Sequence, residues 1–304
     1  MHRPKPHLVL HIGLPKTGTT FLQKRLFSRQ WFVPYFGVHS RIVHPLDAGL
    51  KQVFRKGVPQ DWASFRKRWS HDIAATVDSL PYRWHDTMLC SNENYFTSTT
   101  DIAHAGHELD PDRVAGHLRE FRRSFWKEDV RVLIGIRRQD QWLASNYAEQ
   151  AFRRELSGQK DFERKMSKLT GQDGPSVPWL DYSLLISRIA DAVGRENVSV
   201  LLMEELSMDP EAVLGQIESF IGHPLHGAGS VDFKRQENVK AVAENCWRLN
   251  DRAITNPRLL KKSGVREEQI VLSPELGERI MAACRPGNLA LASLLGRDLS
   301  RFGY

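Results

Sequence analysis

The stretch from Leu8 to Thr20, LVLHIGLPKTGTT, constrains the fold more than any other part of this sequence. The short apolar run Leu8–Ile12 ends at Gly13, the pattern of a buried strand. A helix is expected over 19–28, with Leu22 and Leu26 on one face. Between them lie Gly13, Leu14, Pro15, Lys16, Thr17, Gly18, Thr19 and Thr20. The glycines at 13 and 18 let the backbone turn tightly and bring its N–H groups close to a ligand. The opening N–H groups of the next helix and its dipole favour an anion there. Thr17, Thr19 and Thr20 add hydroxyl donors, so the whole reads as a phosphate-binding loop. Its lysine is displaced. The triphosphatase loop GxxxxGK[ST] sets lysine directly after the second glycine, where this chain has Thr19. Lys16 sits inside the loop instead, where it can reach the end of a bound phosphate chain from the loop side.

The rest of the chain alternates short apolar runs with helical patterns. Thr87–Ser91, Val130–Ile136 and Val198–Met203 read as buried strands. Trp62, Phe65, Trp69, Ile73, Val77 and Leu80 recur at helical spacing. Helices are also expected after Asp110-Pro111, from about Asp140 to Leu156, from Asp181 to Gly194, from Asp209-Pro210 to Gly222, and after Ser273-Pro274. The polar segment from Ser157 to Trp179 reads as a mobile loop. Strands alternating with helices predict an α/β fold, a three-layer P-loop-like arrangement with a central parallel sheet flanked by helices. No repeat or linker divides the sequence, so a single domain over 1–304 is expected, with a core of about 8–238 and a helical C-terminal part, 239–304.

Composition narrows the function classes. With 43 Lys and Arg against 36 Asp and Glu, the chain carries a formal charge of +7. The excess is dispersed in clusters such as Arg66-Lys67-Arg68 and Arg122-Arg123, without a recognisable nucleic-acid reader motif. It suits long-range attraction of an anionic small molecule or an acidic acceptor. No run approaches the ~18 apolar residues of a membrane span. No signal-peptide pattern opens the chain, and a cytoplasmic location is the expectation. Peripheral membrane contact and oligomeric state are left open. Cys90, Cys246 and Cys284 form no CxxC, and the twelve histidines show no HExxH spacing, so neither a disulfide framework nor a metal site is expected.

The loop with its inward lysine resembles the 5′-phosphosulfate-binding loop of sulfotransferases, which use 3′-phosphoadenosine 5′-phosphosulfate (PAPS). The resemblance runs from Leu8 to about Asn238. In that family an arginine at the end of a buried strand is followed eight residues later by a serine, and together they bind the 3′-phosphate. Arg137 and Ser145 fit that spacing here, after Val130–Ile136. Arginine suits the task because its planar fork donates two parallel hydrogen bonds to a phosphate. Arg138-Gln139 replaces the family's usual Asn-Pro, which leaves two arginines to choose between. Glu204 occupies the position of a family acid, and Lys234 or Arg235 that of a basic loop over the 3′-phosphate. The strand terminus carries no acid where a triphosphatase would hold magnesium.

By this resemblance the donor-binding residues are Pro15, Lys16, Thr17, Gly18, Thr19, Thr20, Arg137, Ser145, Lys234 and Arg235. Lys16 stabilises the charge on the leaving phosphate and no metal is required. Glu93, just past Thr87–Ser91, is the candidate base for the acceptor proton, since the resembling enzymes place their base at the end of that strand. His11, His39, His104 and His107 are rival bases. The implied reaction is in-line transfer of the sulfuryl group from PAPS, as co-substrate, to a hydroxyl or amine of a small-molecule or glycan acceptor. The alternatives are a P-loop kinase or nucleotide hydrolase with an atypical lysine, and a non-catalytic binding module.

Overall fold

The computed structural model describes residues 7–30, 33–40, 45–56, 61–67, 87–93, 95–96, 109–126, 128–151, 157–171, 174–225, 241–249 and 268–304. The chain groups into two compact units, the first of residues 1–98, 112–136 and 188–237, the second of 99–111, 137–187 and 238–304.

A five-stranded, wholly parallel sheet organises the first unit. Its strands are β1 (His7–Gly13), β2 (Tyr35–Gly37), β3 (Thr87–Ser91), β4 (Asp129–Ile136) and β7 (Val198–Leu202), in the order β2-β3-β1-β4-β7. In register, His11 lies beside Ser91 and Gly13 beside Gly135, so β3, β1 and β4 finish at one edge. Side chains alternate faces along each strand. Val9, Leu89, Leu133 and Leu201 share one face and join a core with Phe21, Leu26 and Phe27 from α1 and the turns that continue it (Thr19–Arg29). Leu206 from α8 (Met203–Met208) and Val213, Leu214, Ile217 and Ile221 from α9 (Pro210–Ile221) complete that core. Leu8, Leu10, Cys90, Val132 and Val200 are also buried and point to the opposite face. Both faces being covered explains why these strands read as continuous apolar runs rather than alternating ones. A second aromatic cluster centres on Phe54 of α2 (Pro45–Lys56), ringed by Trp62 of α3 (61–67), Phe121 of α4 (Pro111–Ser124), Tyr95 and Phe96.

The second unit holds α5 (Gln139–Gln150), α6 (Gln159–Leu169), the hairpin β5 (Thr170–Gly171) with β6 (Gly174–Pro175), and α10 (Pro274–Leu295). Three short antiparallel strands, β8 (Ala241–Ala243), β9 (Cys246–Arg248) and β10 (Gln269–Val271), form a sheet beside them. The remaining helix, α7 (Tyr182–Val193), contains the division between the two units. Its start is capped as expected, since Asp181 Oδ1 accepts the Leu184 N–H at 3.1 Å.

Three local readings change. The segment Ser157–Trp179 is not simply a loop: Phe162, Met166 and Leu169 recur at helical spacing, are buried, and make α6. Polar residues on the other face of that helix had hidden the stripe. The helix over 19–28 opens with one α-turn, Thr19–Phe21, then widens into a π-turn over Leu22–Leu26 and tightens into a 3₁₀ turn to Arg29. The C-terminal part is not only helical, because β8, β9 and β10 precede α10. Of the helix expected over 62–80, residues 61–67 are helical and 68–86 lie outside the described residues. No described helix is long and apolar enough to cross a membrane.

Candidate active site

Sequence dictates the loop geometry at two glycines. A Cβ on Gly13 would lie 2.0 Å from Thr19 Cγ2, so only glycine lets the loop fold back over the end of β1. Gly18 has φ +78°, the left-handed region that favours glycine, and a Cβ there would lie 2.7 Å from Met203 Sδ. Lys16 also adopts positive φ, +71°. Backbone strain at a non-glycine residue is a feature that concentrates in ligand-binding turns. Two bonds staple the loop. Leu14 N donates to Gly135 O at 3.3 Å, and Thr17 Oγ1 donates to Leu14 O at 2.6 Å. Gly135 in turn packs tightly on the loop: a Cβ there would lie 3.0 Å from Thr17 Oγ1, so the threonine would have to give by a few tenths of an ångström. The first helical bond, Leu22 N to Gly18 O at 3.1 Å, leaves the opening N–H groups of the turn without an acceptor inside the helix.

The candidate base meets this loop directly. Thr19 Oγ1 donates to Glu93 Oε2 at 2.6 Å. Glu93 arrives there because β3 runs parallel to β1 and one residue farther, Asn92 N still bonds His11 O at 3.4 Å. The turn that carries Glu93 is anchored from α2. Asp47 accepts Asn92 Nδ2 at 3.2 Å and the Tyr95 hydroxyl at 2.9 Å, so one carboxylate holds both ends of the 92–95 turn. Tyr95 N also bonds Asn92 O at 3.3 Å. Burial pushes the Tyr95 hydroxyl well above its ordinary pKa, and the neighbouring Asp47 adds to the rise, so it remains a donor. Asp47 and Asn92 escaped the sequence reading. No helix was expected over 45–56, and nothing local links Asp47 to a turn some 45 residues away.

Beneath the loop lies a buried polar cluster. Ser91 Oγ bonds His11 Nδ1 at 2.6 Å and accepts Gln23 Nε2 at 3.0 Å. The His11 ring packs edge-on against Phe27. Desolvation lowers the His11 pKa to about 3, which keeps the ring neutral and argues against it as the base. Its Nε2 and Gln23 Oε1 are buried with no hydrogen-bond partner among the described residues. Of the other rival bases, His39 has φ +64°, and His104 and His107 lie outside the described residues.

Arg137 and Ser145 belong to the second unit, and Arg137 directly follows the last residue of β4. The neighbouring arginine is engaged. Arg138 Nε and Nη2 donate to the two carboxylate oxygens of Asp140 at 2.8 and 2.6 Å, and Asp140 is only 3% exposed. That forked pair commits Arg138 to opening α5. The Arg137 carbonyl accepts the Tyr182 hydroxyl at 2.9 Å. Ser145 is buried on α5, six residues on from Gln139, whose amide meets Asn288 at 2.7 Å. Tyr147 is structural, since its hydroxyl donates to Asp161 at 2.8 Å. Lys234 and Arg235 lie outside the described residues. Among the described residues, no group of three or more His, Cys, Asp or Glu is arranged to hold a metal ion.

Comparison with known proteins bears on this geometry. The sequence matches the family model described as the sulfotransferase domain over residues 6–269. Among solved structures it is similar to a sulfotransferase from Alicyclobacillus acidocaldarius, at 17% identity over 100% of both chains, with a TM-score of 0.55. It is also similar to the sulfotransferase domain of the Synechococcus PCC 7002 olefin synthase, at 15% identity over 98% of this chain and 97% of that one, with a TM-score of 0.41. No curated protein matches it. The first structure supports the fold, a parallel sheet flanked by helices, and the family model spans nearly the whole sequence. On that match the chain belongs to the sulfotransferase family.

Proposed function

We propose that the protein transfers the sulfuryl group of PAPS to a hydroxyl or amine of a small-molecule or glycan acceptor. In this reading Pro15, Lys16, Thr17, Gly18, Thr19 and Thr20 hold the 5′-phosphosulfate. Arg137 and Ser145 hold the 3′-phosphate, with Lys234 or Arg235 closing over it. The acceptor oxygen attacks sulfur in line with the departing phosphate oxygen, and the S–O bond to that phosphate breaks as the new one forms. Glu93 takes the acceptor proton. The electron pair released onto the phosphate is stabilised by the Lys16 ammonium and the loop N–H groups, so no metal enters the scheme. Binding both ends of the nucleotide fixes the sulfur in the line of attack.

The observation that carries this reading is the 2.6 Å bond between Thr19 and Glu93. It supports a base within one hydrogen bond of a phosphate loop, the arrangement that in-line transfer requires. The product 3′-phosphoadenosine 5′-phosphate, added in the presence of a chelator, is expected to raise the melting temperature. Lys16→Ala is expected to abolish most of that rise. A labelled-PAPS screen against glycans, phenols, lipids and peptides then identifies the acceptor. No thermal shift at millimolar product, with folded protein, would refute the proposal.

A further inference from the structure

We infer that Thr19 couples sulfuryl-donor occupancy to the release of Glu93. The 5′-phosphate and the Glu93 carboxylate compete for a single hydroxyl proton. This rests on the proposed placement of the 5′-phosphosulfate in the loop.

Thr19 is buried, 2% exposed, and its hydroxyl has one proton to give. In the structure that proton goes to Glu93 Oε2 at 2.6 Å. The side chain cannot readily swing elsewhere. Its Cγ2 methyl occupies the space beside Gly13, so close that a Cβ there would meet it at 2.0 Å. A β-branched residue so placed is stiff about its Cα–Cβ bond. The hydroxyl hydrogen, by contrast, turns freely about the Cβ–Oγ1 bond. Redirecting the proton from Glu93 to a phosphate oxygen therefore requires no rotamer change and no backbone movement.

The turn that carries the carboxylate is held separately. Asp47 clamps Asn92 and Tyr95 on either side of Glu93, so the turn has an anchor that does not depend on Thr19. The turn bearing Glu93 keeps its place when the Thr19 proton turns away. A carboxylate that accepts a hydrogen bond holds its negative charge more readily and takes up a proton less readily. Arrival of the nucleotide thus removes one bond that quiets the base. Glu93 Oε2 can then accept the acceptor's hydrogen in place of the Thr19 hydroxyl's, and only when a sulfuryl group is present to transfer.

The test is a double-mutant cycle read by calorimetric titration of 3′-phosphoadenosine 5′-phosphate into wild type, Glu93→Ala, Thr19→Val and the double variant. If the two anions compete for one proton, Glu93→Ala tightens nucleotide binding by about tenfold, the scale of a charge-assisted hydrogen bond. In the Thr19→Val background the same removal changes binding by less than about twofold. Thr19→Ser keeps the hydroxyl and restores the coupling, which separates loss of the proton from damage to the loop. An equal gain in both backgrounds would mean simple charge repulsion and would overturn the inference, as would no gain in Glu93→Ala. If wild type binds the nucleotide but Lys16→Ala binds it equally well, the donor-site reading fails instead, and the inference with it.

Discussion

Acid should unfold this protein in part through one residue, His11. Its ring is 1% exposed and its pKa falls from the ordinary 6.5 to about 3 in the folded chain. In the unfolded chain it takes up a proton near pH 6.5, so between these two values the unfolded state binds more protons than the folded one. Stability contributed by the neutral ring is therefore complete above about pH 6.5 and is lost progressively as pH falls toward 3. At pH 5 the unfolded state gains about 1.5 pH units of proton affinity that the folded state cannot match, or about 2 kcal/mol. For a protein with a stability of about 5–15 kcal/mol this is a large fraction. His11→Asn retains an acceptor for the Ser91 hydroxyl and removes the titration. Urea unfolding of both proteins at pH 7 and pH 5 should show wild type losing about 2 kcal/mol more than the variant. Parallel losses in the two proteins would show that His11 is not held neutral. A histidine charged in the fold near pH 6 would then return to contention as the base.

Other perturbations separate the roles assigned above. Asp47→Ala loosens the turn that carries Glu93; kcat should fall by about tenfold or more while the affinity for 3′-phosphoadenosine 5′-phosphate stays unchanged, as steady-state kinetics beside calorimetry will show. Arg138→Ala strips a 3%-exposed carboxylate of its forked partner and should cost about 2 kcal/mol in denaturant unfolding, less than a fully buried pair because Arg138 is itself 32% exposed. Arg137→Ala should weaken the 3′-phosphorylated nucleotide far more than adenosine 5′-phosphate in the same titration. Gly13→Ala drives a Cβ to within 2.0 Å of Thr19 Cγ2; about 1–3 kcal/mol of stability and most of the nucleotide affinity should be lost together, by thermal unfolding and calorimetry.

The parallel sheet was legible because its strands announce themselves locally. Leu8–Ile12, Thr87–Ser91 and Val198–Met203 are short apolar runs between polar or glycine-rich boundaries, and each matches a strand to within a residue or two. Edge strand β2 was not legible. It has only three residues, and Tyr35 and Phe36 resemble ordinary loop aromatics until their pairing with β3 is known. α6 was missed for a different reason. Its apolar stripe is a minimal one, Phe162, Met166 and Leu169, set among lysines and acids in a stretch bounded by glycines and prolines. The burial that makes it a helix comes from partners far along the chain, and a local window cannot see them.

The site divides along the same line. Residues whose role follows from backbone geometry were visible as a spacing: Gly13, Lys16, Gly18 and Thr19 are neighbours in sequence because a strand–turn–helix must place them together. Residues whose role follows from side-chain pairing were not. The choice between Arg137 and Arg138 could not be made from adjacent, chemically identical residues. Only the folded chain shows that the Arg138 fork is bonded to both carboxylate oxygens of Asp140. Glu93 was legible only as a position past a strand. Its bond to Thr19 depends on β1 and β3 being parallel neighbours in a particular register. A shift of one residue in that register would turn Ser91 away from His11 and carry Glu93 off the loop. The polar cluster of His11, Ser91 and Gln23 therefore ties the two strands together at the point where the register matters most for Glu93. Its loss should scatter the base before it unfolds the sheet.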